Sequence, residues 1–386
     1  MPEPMRIGHY APDIWAQGGI GTYIRRLGRG QTDRGHDVTY LGRDRASEPC
    51  SDVDYTTVPD DEALFSAAEA RDLDILHLHK SVRTLPEDRV PTVRTMHGHQ
   101  GGCPSGSRYL ARTGEPCDRP YTLSGCLWGH FVDRCGSVRP GSLTDSFTRI
   151  RREVAQAERI PTYTVSHFLR DKMRRAGCAS DRLCTLHSPA PRVESPFTPV
   201  PGHDPPRFLF LGRLVPEKGL DWLLRAVAGT DASVHLDVAG TGPKEEEMRA
   251  LSTDLGVDDR VSFHGWVPAD DVSGLMRAAR AVVFPSVWHE PAGLITLEAA
   301  AQGRPLIASR VGGIPEYADD AYATLVDARD VSGLARAIDR LASAPEHANR
   351  MGKNGYRAAR STFSMDRFLD RVDAFYGRAR APSTTG

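Results

Sequence analysis

The order of apolar and polar positions divides this 386-residue chain into two halves of similar design. In the first, MRIGHY reads as a short strand and leads through a long loop into GGIGTYIRRLGRG. There Ile20, Tyr23, Ile24 and Leu27 share one helical face, and VTYL follows as the next strand. Strand, helix and strand in succession predict a parallel sheet. LDILHLHK and PTVRTMHGHQ read as two further strands, 142–160 as a charged amphipathic helix, and PTYTVSHFLRDKMRRAG as a strand, a Ser166 cap and a helix. Residues 189–206 are dense in proline and read as a linker. RFLFLGRL then restarts the pattern. HLDVAGTGPKEEEM gives strand, glycine turn and helix, and VSFHGWVPADDV gives strand and loop. The apolar strand AVVF ends at Pro285 and is followed by a polar loop with His289 and Glu290. A helix is expected from about Ala292, with Leu294, Ile295, Leu297 and Ala301 on its spacing, Gly293 in its first turn, and Gly303 and Pro305 as its stop. LIASRVGGIPE, a helix near 331–342 and a last amphipathic helix from about Asp366 complete the chain.

Composition narrows the class. A hydrophobic content of 40% and a charged content of 26% are those of a globular protein, and the length suits two domains. The formal net charge of −1 gives no general attraction to nucleic acid or anionic lipid. Charge is balanced across the linker, with 27 basic and 25 acidic residues in 1–198. Only five of the 49 basic residues are lysine (80, 172, 218, 244 and 353), so a lysine in a ligand loop carries more weight than an arginine. The opening MPEPMRIGHY reads as a strand rather than a cleavable signal, and no apolar run reaches the length of a membrane span. With seven cysteines, an odd number, the expectation is a reducing cytoplasm. The basic clusters 149–152 and 170–175 read as solvated helix faces, with contact at the inner face of a membrane as the alternative.

Chemistry gathers where strands meet helices. Glu290 just ahead of a helix start and Glu298 in its second turn flank unpaired backbone N–H groups at the positive end of a helix dipole. Such an end attracts phosphate, and carboxylates beside it suit hydroxyl-rich parts of the same ligand. Arg213 and Lys218 lie five positions apart in a loop above another helix start, a spacing able to neutralise a diphosphate. Gly18, Gly19 and Gly21 open the first helix without a G-x-G-x-x-G fingerprint, which counts against a nicotinamide enzyme. His97 lies where its strand should end. Cys103, Cys117, Cys126 and Cys135 occupy a segment of little periodicity, with 13, 8 and 8 intervening residues rather than paired C-x-x-C. Free thiols, a structural zinc site with His130, and disulfides all stay open.

Glu290 and Glu298, followed by EAAAQGRPLIAS and VGGIPE, together with G-R-L-x-x-x-K-G from Gly212 to Gly219 and the T-x-H of Thr95 and His97, resemble retaining glycosyltransferases of glycosyltransferase family 4. Ala292 stands where that family usually has an aromatic residue. The resemblance implies a GT-B fold: α/β, two Rossmann-like doubly wound parallel-sheet domains facing a central cleft. The expected domains are an acceptor-side domain, 1–198, with a Cys-rich insertion at about 101–140; a nucleotide-sugar domain, 199–362; and a helix, 363–386, crossing back to the first. It implies a nucleotide-diphosphate sugar, most often UDP-linked, as co-substrate, and a small-molecule, lipid-linked or glycan acceptor. Donor contacts fall on Gly18, Gly19, Arg213, Lys218, Gly240, Val267, Gly293, Leu294, Ile295 and Glu298, and catalytic roles on His97 and Glu290. No D-x-D motif is placed to bring a metal to the diphosphate, so a metal-independent reaction without cofactor is expected. Alternatives are a nucleotide-sugar epimerase and a non-catalytic sugar-nucleotide binding protein of the same fold.

Overall fold

The computed structural model describes residues 3–15, 18–43, 53–85, 89–178, 181–193 and 195–380. By contacts the chain forms two compact units. One holds 1–107, 119–187 and 365–386, and the other holds 108–118 and 188–364.

The first unit is a seven-stranded parallel sheet flanked by helices. Along the chain it runs β1 (Arg6–Tyr10), α1 (Gly19–Asp33), β2 (Asp37–Gly42), β3 (Asp54–Thr57), α2 (Asp61–Ala70), β4 (Ile75–Leu78) and β5 (Thr92–Met96). After the hairpin of β6 (Tyr109–Leu110) and β7 (Glu115–Pro116) it continues with α3 (Leu123–Phe131), α4 (Pro140–Arg159), β8 (Thr162–Thr164), α5 (His167–Arg175) and β9 (Leu183–Thr185). The strand order is β3-β2-β1-β4-β5-β8-β9. Near-continuous burial of β1, β4 and β5 is what a parallel sheet covered on both faces requires. Ser166 caps α5 as its position suggests, accepting from the Leu169 N–H at 3.1 Å.

The second unit starts its sheet at β10 (Arg207–Leu211). It continues through α6 (Leu220–Ala228), β11 (His235–Ala239), α7 (Glu245–Asp254), β12 (Val261–Gly265), α8 (Ala269–Ala278) and β13 (Ala281–Phe284). Then come α9 (Leu294–Ala301), β14 (Leu306–Ser309), β15 (Ala323–Val326), α10 (Val331–Ser343) and α11 (Pro345–Arg360). All six strands are parallel, in the order β12-β11-β10-β13-β14-β15. The closing helix α12 (Met365–Arg380) belongs to the first unit, where Phe368, Leu369, Val372, Phe375 and Tyr376 join the core around α1.

Several details differ from the sequence reading. The division falls after His187 rather than after 198. The proline-rich stretch is packed on the second unit: Arg304 donates to the Thr198 carbonyl, and the Val200 N–H donates to Asn349. The Cys-rich segment is not irregular throughout, since it contains α3 and the β6–β7 hairpin, and that hairpin belongs to the second unit. α9 starts at Leu294, with Gly293 as its left-handed N-cap (φ 71°) rather than a first-turn residue. α11 was not anticipated.

Candidate functional site

In the second unit the predicted donor residues lie around the C-terminal ends of the strands, the edge at which α/β sheets hold ligands. Beyond β10 the chain passes Gly212 and the exposed Arg213 into a single 3-10 turn, Pro216–Lys218. Gly219 follows with φ 71°, and a Cβ there would lie 2.1 Å from the Pro285 carbonyl oxygen. Only glycine lets the Lys218 loop touch the loop after β13 this closely. The Val287 N–H donates to the Glu217 carbonyl at 3.0 Å and holds the two loops together.

This closure sets an ion pair. Lys218 Nζ donates to Glu290 Oε1 at 2.6 Å, and Ser286 Oγ lies 2.8 Å from the same oxygen. The two side chains are 16% and 7% exposed, so the pair is largely dehydrated. The ammonium also lies 5.1 Å from the Phe284 ring centre and 5.6 Å from that of Trp288, within cation–π range. The Glu290 backbone is fixed from the far side, where the Gly313 N–H donates to its carbonyl at 2.7 Å. At Gly312 (φ 57°) a Cβ would come within 2.2 Å of that carbonyl, so the VGG turn after β14 builds the Glu290 position. The spacing suggested Lys218 as a cation paired in role with Arg213. In the structure Lys218 is joined to Glu290 and Arg213 is exposed.

Glu290 precedes α9, whose N-terminus at Gly293 has neither a side-chain cap nor an acidic residue in its first turn. The N–H groups of Leu294 and Ile295 open this helix, and Glu298 is half-buried one turn on. Gly240 (φ 137°) sits against the Gly212 carbonyl, which a Cβ would approach to 1.9 Å, and its N–H donates to the Gly265 carbonyl at 2.7 Å. Val267 packs half-buried against the cluster that includes Leu209, Val282 and Phe284. The β6–β7 hairpin, which sequence reasoning did not connect to this unit, lines a cavity of about 290 Å³ together with Leu214, Val215 and Pro216. Tyr109 and Gly114 line it with Trp222 and Arg329.

In the first unit, Gly18 (φ 130°) caps α1, and its carbonyl accepts from the Thr22 N–H at 3.2 Å; Gly19 is the first helical residue. Tyr23, one turn on, meets the His97 ring edge-on at 4.7 Å. His97 follows β5 and is half-buried. Behind it lies a group that sequence reasoning missed. His9 on β1 is in register with His77 on β4, and His79 follows two residues on. His9 Nδ1 lies 3.0 Å from His79 Nε2, and His79 Nδ1 lies 3.0 Å from His97 Nε2. Burial lowers the pKa of His9 to about 4, and burial with the nearby Lys80 and Arg94 charges lowers that of His97 to about 3. His77 and His79 are held well below the usual histidine range, chiefly by burial. The signal was present: two imidazoles two apart on a buried strand must point to one side of the sheet.

None of the six described cysteines forms a disulfide, and Cys50 lies outside the described residues. Among the described residues, the groups of three ligands close enough to share one ion include neither these cysteines nor His130.

Comparison with known proteins agrees with this architecture. The solved structure of a sucrose-phosphate synthase from Thermosynechococcus elongatus matches with a TM-score of 0.74 at 20% identity, covering 97% of this chain and 98% of that one. The fold is GT-B. HepE of Anabaena, solved with UDP and glucose, superposes on the GT-B chain with a TM-score of 0.73 at 16% identity, over 97% of this chain and 100% of its own. Residues 193–358, most of the second unit, match the family model for glycosyl transferases group 1. A lipopolysaccharide core biosynthesis glycosyltransferase, LpsE of Rhizobium meliloti, is 34% identical over 169 residues, 43% of this chain and 48% of its own length. The D-inositol 3-phosphate glycosyltransferase of Streptomyces griseus is 38% identical over 157 residues, 37% of this chain and 33% of its own. The chain thus spans about half or less of the length of these curated relatives. Among the described residues no helix is long and apolar enough to cross a membrane.

Proposed function

We propose that this protein is a glycosyltransferase that moves a sugar from a nucleotide-diphosphate donor to an acceptor hydroxyl, with retention of anomeric configuration, as in family 4. The observation that carries the reading is the Lys218–Glu290 pair built beside the uncapped start of α9, inside the region matched to group 1 transferases. Departure of the diphosphate is the difficult step. Arg213, Lys218 and the first N–H groups of α9 would offset the developing charge electrostatically. Glu290 would fix donor-sugar hydroxyls, Glu298 the ribose hydroxyls, and His97 would contact the sugar near its anomeric centre. The backbone near Val267 and Gly240 would border the nucleotide. UDP is the donor nucleotide we favour, consistent with the UDP bound in HepE. The acceptor belongs to the small-molecule, lipid-linked or glycan classes, and the reaction needs neither metal nor cofactor.

The test is thermal unfolding of wild type and Lys218→Ala with UDP, GDP, ADP and dTDP sugars, followed by transfer assays with and without a strong chelator. A donor at about 100 times its Kd adds roughly 2.7 kcal/mol to the folded state, a shift of several degrees. The expected result is a shift with one nucleotide family, lost in Lys218→Ala, and transfer unaffected by the chelator. No shift with any donor overturns the reading, and abolition by the chelator overturns its metal-free form.

A further inference from the structure

His9, His77, His79 and His97 together hold eight ring nitrogens, and seven of them are hydrogen-bonded inside the first unit. The eighth is Nδ1 of His97. His9 Nε2 lies 2.6 Å from Gln31 Oε1, on α1. The amide nitrogen of Gln31 donates to the Tyr376 hydroxyl at 3.1 Å, on α12. The Tyr376 hydroxyl lies 2.7 Å from His77 Nδ1, and His77 Nε2 lies 2.6 Å from Thr95 Oγ1. His9, His77 and His79 have ligand atoms within 4.8 Å of one another, the spacing of a metal site, but each of these nitrogens already has a partner.

A neutral imidazole has one N–H donor and one acceptor nitrogen, so each link in such a chain dictates the next. The Gln31 carbonyl only accepts; His9 therefore carries its proton on Nε2 and leaves Nδ1 bare. His79 must donate to that nitrogen from Nε2, which leaves its own Nδ1 bare. His97 must then donate from Nε2. The other arm is compatible: with the Gln31 N–H accepted by the Tyr376 oxygen, the phenol O–H is free to donate to His77 Nδ1, which would leave His77 Nε2–H to donate to Thr95. We infer that Gln31, acting through His9 and His79, positions His97 as the Nε2–H tautomer, so that its free Nδ1 accepts a hydrogen bond from a ligand hydroxyl. Gln31, His9 and His79 are thus positioning residues for the sugar contact, and the inference rests on the transferase reading for the identity of that hydroxyl. Burial of the three inner imidazoles keeps the chain uncharged and the tautomers locked.

The first test reads the tautomer in the wild-type protein. In the 15N-labelled wild-type protein, two-bond 1H–15N correlations of the imidazole rings report which nitrogen carries the proton, with His97 assigned by its loss in His97→Asn. The expected result is a protonated Nε2 and a bare Nδ1; a protonated Nδ1 overturns the inference. Gln31→Met keeps the bulk and removes the carbonyl. It should give His97 a mixture of both tautomers and lower kcat about tenfold, the scale of one neutral hydrogen bond, with KM for the donor within about twofold. A fall in kcat with the tautomer unchanged would make Gln31 a packing residue and overturn its role. The expected tautomer in a protein that binds no nucleotide sugar would instead overturn the transferase reading and leave the relay intact.

Discussion

At the scale of residues, the central feature is that Lys218 and Glu290 are a pair. A buried ion pair is costly to break from one side, because the remaining charge is left without water or partner. Lys218→Ala should therefore destabilise the second unit by about 3 kcal/mol. Lys218→Ala/Glu290→Gln, which leaves a neutral amide able to bond Ser286, should recover much of that loss. Denaturant midpoints of the two single variants and the double variant measure the coupling directly. Equal losses in Lys218→Ala and the double variant would show that the pair is not formed. The loss of stability is read without ligand, so it is separable from loss of donor binding. The sequence showed both residues and their spacing to neighbouring helices. It could not show the pairing, which arises because Gly219 and Gly312 let three loops close on one carboxylate.

At the scale of elements, the loop after each strand was more legible than its surroundings. The strand, loop and helix at 281–301 is in place to within two residues, since an apolar run, a turn and helical spacing are local signals. The β6–β7 hairpin and α11 were missed because nothing periodic marks the first, and the second follows α10 with only Ala344 between them. α12 was recognised as a helix, but its chemical role was not. Tyr376 is fully buried and holds both Gln31 and His77. Tyr376→Phe deletes one oxygen and leaves two buried polar groups without a partner, which should cost about 2 kcal/mol. Urea unfolding of the variant checks this; a change below about 0.5 kcal/mol would mean that other partners replace the hydroxyl. Gly312→Ala tests the other unit's loop closure. With φ 57° and a Cβ 2.2 Å from the Glu290 carbonyl, it should move Glu290 and abolish the donor-induced thermal shift, whereas an unchanged shift would separate the VGG turn from the site.

At the scale of the whole molecule, two α/β units with similar sheets carry different titratable interiors. His9, His77, His79 and His97 are neutral in the folded first unit, with His9 near 4 and His97 near 3, while an unfolded chain has histidines near 6.5. Well above pH 6.5 neither state binds these protons and the groups contribute nothing to pH dependence. As pH falls below 6.5 the unfolded chain takes up protons that the folded unit refuses, so stability falls, and keeps falling towards pH 4, where His9 itself begins to charge. The second unit has milder cases: burial lowers His235 and His347, both nearer the surface. The first unit should therefore be the one that opens first between pH 6.5 and 4. Hydrogen exchange at pH 7 and pH 5, with intrinsic rates corrected, reads the two separately: protection in β1 and β4 should fall more than in β10 and β13. Equal loss in both sheets would mean that the imidazoles are already reached by protons in the folded state. The hydrogen-bonded chain behind His97 would then be neither dry nor able to hold one tautomer.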